Sequence, residues 1–295
     1  CGGHAFATDG FLLGPVLEEF KENKDQLIEA VHDIYIKALA EKGKPVPEKP
    51  FLVKITAQGG VGSNTEHQFL LDYYQLDSIG WGTPFLLVPE AVTVDEQTLE
   101  VLCKAKEEDL YMSEVSPLGV IFNNVRGTGM DLKKEAQNKA GNYGFPCVKK
   151  YLALTPVFTE EGTCTASKEF QRKKIQELKE QNLNEMEFEK QLNKITDKAC
   201  LCNGLTASSL MAHGLDTKIE GTAVSICPGP NLAYFSHTYS LKKMVDHIYG
   251  RTNVMERTDR PNLFVKELSM YIEYLNGKLE ETVKPFSDKQ KKHFV

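Results

Sequence analysis

The sequence is poor in several things, and each scarcity excludes a class. No run of apolar residues approaches the length of about 20 that a membrane-spanning helix requires. Basic residues are in deficit, 35 Lys and Arg against 41 Asp and Glu, for a net charge of −6. A nucleic-acid surface needs a basic face, and none is visible. There is no Cys-x-x-Cys pair, and the 7 cysteines are an odd number in a long chain of ordinary apolar content. That pattern fits a reducing compartment better than a disulfide framework, so the reading is cytoplasmic. Internal repeats and low-complexity tracts are lacking. The start lacks a basic-then-apolar signal pattern. What remains is 295 residues, 41% hydrophobic and 26% charged, the profile of a globular protein able to bury a sizeable core.

Residues 1–95 alternate between helical and β-rich stretches. Apolar residues recur at helical spacing from Leu12 to Ala40, and residues 42–50 form a linker. Phe51 to Ala57 is a β-rich run, followed by a glycine turn from Gln58 to Ser63. Asn64 or Thr65 can cap a helix reaching about Tyr74, and Asp77 to Trp81 is a second short strand ended by Gly82, Thr83 and Pro84. Strand, glycine turn, helix, strand, glycine turn is the pattern of a parallel α/β sheet. A short helix over residues 96–108 and a mixed apolar stretch from Tyr111 to Val125 follow. Beyond residue 140 the chain reads as mainly helical: residues 168–199, broken near Asn182 to Asn184; a helix capped by Ser240; and a last helix from Phe264. The expected domains are 1–95, 96–140 and 141–295, the last of unassigned function.

Both glycine sets follow β-rich runs, at the strand ends where α/β barrels place their sites. Gly59, Gly60 and Gly62 let a ligand oxygen approach backbone N–H groups, and the next helix adds its positive end. Gly82 and Thr83 offer a second set of donors. The expectation is a phosphate site; the alternative is a pair of ordinary tight turns.

These residues carry a family resemblance. Cys1-Gly2-Gly3-His4 is similar to the Ala-Gly-Gly-His loop of the nitronate monooxygenases, also called 2-nitropropane dioxygenases. Phe51 to Gly62 resembles that family's seventh strand and phosphate loop. Gly80 to Leu86, with Glu90 and Ala91, resembles its eighth strand, although Pro84 stands where the family has Arg. Glu108 to Gly119 and Phe122 to Thr128 resemble an extension found in the enoyl-reductase proteins of polyunsaturated fatty-acid synthases. The resemblance covers residues 1–140 and implies the C-terminal part of an FMN-dependent (β/α)8 TIM barrel, with the earlier strand–helix units upstream of Cys1. It implies an oxidoreductase acting on a small acidic C–H or enoyl substrate. Gly2, Gly3, Gly59, Gly60, Gly62, Gly82 and Thr83 would bind FMN and His4 would be the general base. Thr8 and Asp9 are read as capping the helix that follows.

Five cysteines lie beyond residue 140. Cys147, Cys164, Cys200 and Cys202 are candidate ligands for an iron–sulfur cluster, with Cys227 as a substitute, because thiolates in loops at helix starts suit such ligation. The competing reading is that they are small buried apolar residues. Cys103 and Trp81 are read as core, and the histidines other than His4 as structural. Alternatives to the flavoenzyme are a barrel binding a phosphorylated ligand without flavin, and an electron-transfer module in residues 141–295 with a partner protein.

Overall fold

A computed structural model describes residues 12–280. In chain order its helices and strands begin with α1 (Leu13–Glu22), α2 (Lys24–Glu41), β1 (Thr56–Gln58), α3 (Asn64–Tyr73), β2 (Ser78–Gly80), α4 (Glu96–Lys104), β3 (Leu110–Ser113) and β4 (Phe122–Val125). They continue with α5 (Gly129–Lys139), α6 (Lys168–Lys179), α7 (Glu185–Thr196), α8 (Leu201–Ala212), α9 (Leu241–Ile248) and α10 (Leu263–Glu280). The chain is α/β, and its described strands form two separate two-stranded sheets; no closed barrel is present among the described residues.

The chain divides into two compact units at 81/82 and 258/259. These cuts differ from the boundaries read from the sequence, because α10 belongs to the same unit as α1, α3 and the first sheet.

The glycine-turn unit comprises residues 12–81 and 259–280. Its β1 and β2 pair in parallel, Thr56 with Ser78, Ala57 with Ile79 and Gln58 with Gly80, and α3 is the crossover. The expected strand from Phe51 shortens to three residues. Asp77 takes the Ile55 N–H on its carboxylate at 2.8 Å, which ends the ladder, and Phe51 and Leu52 are exposed. The core is Leu17, Ala57, Val61, Leu70, Tyr74, Leu76 and Leu263. Each fully buried Leu or Val among them contributes about 1.5–3 kcal/mol. The helical spacing from Leu12 to Ala40 is carried by two helices, divided at Asn23. No residue of α2 is buried, and Val31, Ile34 and Tyr35 are exposed.

The cysteine unit comprises Gly82–Thr258. Here β3 and β4 form an antiparallel pair where only a mixed stretch was expected, with Leu110 opposite Val125 and Ser113 opposite Phe122. The break near Asn182 to Asn184 separates α6 from α7, whose N-caps are Ser167 and Asn184. Helix α8 was not expected from a Gly-, Ala- and Ser-rich sequence. Those small residues let the backbone of residues 222–226 pass close: Ser225 N donates to Gly204 O at 2.9 Å and Met130 N to Val224 O at 3.0 Å. Gly204, Ala207 and Ser208 are buried on α8, and Ser208 Oγ donates to Asp95 Oδ2 at 2.6 Å.

Candidate functional site

Cys1, Gly2, Gly3, His4, Thr8 and Asp9 lie outside the described residues. The remaining candidates fall into three places.

The first is the glycine turn. Gly59 and Gly60 have left-handed φ values of 97° and 74°, as a turn leaving β1 demands. Ser63, not Asn64 or Thr65, caps α3: its Oγ accepts from Glu66 N at 3.3 Å. Glu66 then turns back, and its Oε2 accepts from Gly62 N at 2.9 Å. Its other oxygen accepts from Arg260 Nη1 at 2.6 Å and Leu263 N at 2.7 Å. Arg260 Nη2 donates to Gly60 O at 3.0 Å. A Cβ on Gly62 would lie 2.7 Å from Arg260 Nε, so the glycine is what allows the guanidinium to lie on the turn. Both ions are buried, with 7% and 4% of the Arg260 and Glu66 side chains exposed, so the pair is held by mutual attraction and hydrogen bonds together. The sequence reading missed Glu66 and Arg260. Ser63-x-x-Glu66 is a capping-box spacing and was the available signal for Glu66; Arg260 is nearly 200 residues away and has no local signal.

The second is Gly82 and Thr83. Thr83 Oγ1 accepts from Gly229 N at 2.9 Å, and a Cβ on Gly229 would meet that oxygen at 2.6 Å. Thr83 thus anchors the Cys227–Gly229 segment within its own unit. Pro84, in place of the family's Arg, is buried at the start of a 3-10 turn over Thr83–Leu87.

The third is the cysteine pocket. Cys147, Cys164, Cys200 and Cys202 all line one pocket, with Phe145 and Leu201 among its walls and about 310 Å³ of space inclusive of its open mouth. Three chain segments bring them there. Phe145 N donates to Ala166 O at 2.9 Å and Lys168 N to Phe145 O at 3.0 Å. Fully buried Gln171 donates from Nε2 to Thr165 O at 3.4 Å and Lys198 O at 3.3 Å, tying the residue after Cys164 to the approach to Cys200. Burial pushes the Cys164 thiol up to about 12, reinforced by Cys147, Cys200 and Cys202 and opposed by the Ala166 N–H. Burial likewise raises Cys200, against the N–H groups of Asn203 and Cys202. All four are free thiols. Cys227 does not line the pocket, and half-buried Cys103 lies on α4. One expectation requires correction: among the described residues no three His, Cys, Asp or Glu side chains stand ready to hold a metal ion.

The extension resemblance maps onto a closed polar network. Tyr111 Oη donates to Asp131 Oδ1 at 3.1 Å and accepts from Asn124 Nδ2 at 3.0 Å, and Arg126 lies 4.6 Å over the Tyr111 ring. Burial, then the Asp131 charge, raises the phenol well above its ordinary range.

No protein-family profile and no curated protein matches the chain. Among solved structures it is similar to FabK from Thermotoga maritima, at 17% identity and a TM-score of 0.33, over 77% of this chain and 48% of that one. It is also similar to the enoyl reductase domain of MlnA from the macrolactin biosynthesis cluster of Bacillus amyloliquefaciens, at 16% identity and a TM-score of 0.36, over 93% of this chain and 57% of that one. The chain spans about half the length of these structures.

Proposed function

We propose that this chain is the C-terminal strand–loop–helix portion of a nitronate monooxygenase-like, FMN-dependent oxidoreductase acting on an enoyl or small acidic C–H substrate. The observation that carries the reading is the parallel pairing of β1 and β2 across α3, with a glycine turn leaving the carboxyl end of β1. That is the local architecture the motif resemblance requires, and barrel enzymes build phosphate sites at this end.

The turn as folded does not fit a flavin phosphate. The Gly62 N–H is spent on the Glu66 carboxylate, and Arg260 covers the hollow that Gly62 leaves. A phosphate there would have to displace a buried, ion-paired carboxylate. The flavin therefore enters through the resemblance of residues 1–140. His4 is proposed as the base because a neutral imidazole can accept the proton of an acidic C–H near neutral pH.

The test is the absorption spectrum of the full-length protein purified without air, with any released chromophore identified after denaturation. Flavin bands and released FMN are expected, and His4→Ala should keep the flavin while turnover on a nitronate or enoyl thioester falls by roughly 10²–10⁴. A colourless protein that takes up no added FMN overturns the reading.

A further inference from the structure

We propose that Cys147 and Cys202 form a redox site, in which a hydroperoxide oxidises Cys202 and the two thiols close into a disulfide across the pocket they line. The pocket draws four free thiols from three chain segments, and they are of two kinds. Cys164 and Cys200 are buried, whereas Cys147 and Cys202 are half-buried. Burial raises the first two thiols and keeps them protonated, so they serve as walls. A small oxidant entering by the open mouth meets the half-buried pair.

Cys202 is placed to be the attacking thiol. It lies in the first turn of α8, at the positive end of that helix, and the turn holds no acidic residue to offset the field. Lys149 lines the same pocket. Its ammonium is raised chiefly by the Glu220 carboxylate, 2.6 Å away, and also by Cys202, which puts the cation within electrostatic range of the sulfur.

Cys147 is placed to be its partner. The base of its loop is pressed against the start of α6: Phe145 N donates to Ala166 O, Lys168 N donates to Phe145 O, and a Cβ on Gly144 would lie 2.8 Å from Lys168 Cα. Beyond that base Pro146, Val148 and Lys150 are exposed. Core packing therefore does not oppose the shift that brings two Cα atoms to the roughly 4.4–6.8 Å a disulfide needs.

The Cys202 thiolate attacks one peroxide oxygen and the O–O bond breaks. The other oxygen leaves with the thiol proton, as water when the oxidant is hydrogen peroxide. Cys202 is then a sulfenic acid, oxidised by two electrons as the peroxide is reduced by two. The Cys147 sulfur attacks the Cys202 sulfur, the S–O bond breaks, and hydroxide leaves with the Cys147 proton as water. A dithiol reverses the link by exchange.

The experiment treats the reduced full-length protein with hydrogen peroxide, alkylates the remaining thiols and maps the non-reduced digest by mass spectrometry. The readout needs no flavin, so its outcome is independent of the proposed activity. The expected product is the Cys147 peptide joined to the Cys202 peptide and released by dithiothreitol. Cys202→Ser should lose the link and leave Cys147 reduced. Cys147→Ser should leave a Cys202 sulfenic acid that dimedone traps. Cys103, half-buried on α4 with its thiol raised by burial, is the internal control and should stay reduced. If a variant fails to fold, the wild-type map still decides. A link through Cys164 or Cys200, or oxidation of Cys202 no faster than that of Cys103, overturns the proposal.

Discussion

In the glycine-turn unit the buried Glu66 carboxylate is fully spent: one oxygen takes Arg260 and Leu263 N–H, the other Gly62 N–H. In the cysteine unit four free thiols line a pocket; the Gln171 amide ties two of their segments together, and backbone N–H groups reach Cys164 and Cys200 without a charged partner. The turn that reads as a ligand site has become a structural clasp. The cysteines that read as equally well core have been gathered at one pocket. Residue type announces potential chemistry; whether the polar groups are already satisfied decides whether a ligand is invited.

The largest effect should come from breaking the clasp. Arg260→Met leaves the Glu66 carboxylate buried without its countercharge and should cost about 3–5 kcal/mol in urea unfolding of the full chain. Adding Glu66→Gln should recover a large part of the loss, because an unpaired buried charge is worse than none. Additive losses would show that the pair is not coupled.

On the other side, Gly204→Ala tests how tightly α8 holds the Cys200 end of the pocket. An exposed Gly to Ala change in a helix stabilises by about 1 kcal/mol. Here the new Cβ would lie 2.2 Å from Ser225 Oγ and 2.7 Å from its Cβ. The change should therefore destabilise, by about 1–3 kcal/mol, and a higher melting temperature would refute the packing argument.

Legibility in the sequence divides along the range of the interactions. The β1–α3–β2 unit and the Ser240 cap of α9 were readable, because a β-rich run, a Ser at a helix start and helical apolar spacing are local. Helix α8 was hidden because Gly204, Ala207 and Ser208 serve close packing against residues 222–226, which resembles loop composition. Strands β3 and β4 were hidden within one mixed apolar stretch, since their pairing depends on register. At the candidate sites, the cysteine set was legible as a list of residues. Its gathering was not, because it depends on Gln171 reaching Lys198 across 27 positions. Arg260 was invisible at the turn for the same reason.

A smaller effect belongs to Asp95, which caps α4 and accepts from Thr98 N at 3.0 Å. Burial pushes its carboxyl up, but Ser208 and Thr98 outweigh burial and hold it below the ordinary 3.8. A depressed folded-state pKa gives stability that is present above the unfolded value and lost as pH falls through the folded one. Asp95→Asn keeps a good cap but loses the charge-assisted bond, so at neutral pH it should cost about 1 kcal/mol. The gap from wild type, followed by melting temperature against pH, should close below about pH 4. A gap constant with pH would place the effect in packing.

The smallest and most local effect is at His67. Trp81 Nε1 donates to His67 Nδ1 at 2.9 Å, which fixes that nitrogen as the acceptor and the imidazole as neutral. Desolvation by burial lowers its pKa below 6.5. A base whose folded pKa is depressed makes the fold lose stability as pH falls through the unfolded value, because the unfolded state takes the proton first. Protonation of the folded state then removes the acceptor and releases the indole N–H. Trp81 is the only tryptophan, so the emission comes from the indole that His67 holds. A fluorescence step is expected below pH 6.5, reversible and absent in His67→Gln. A step that persists in that variant would come from another titrating group in the glycine-turn unit, such as Glu267, whose carboxyl is raised by burial.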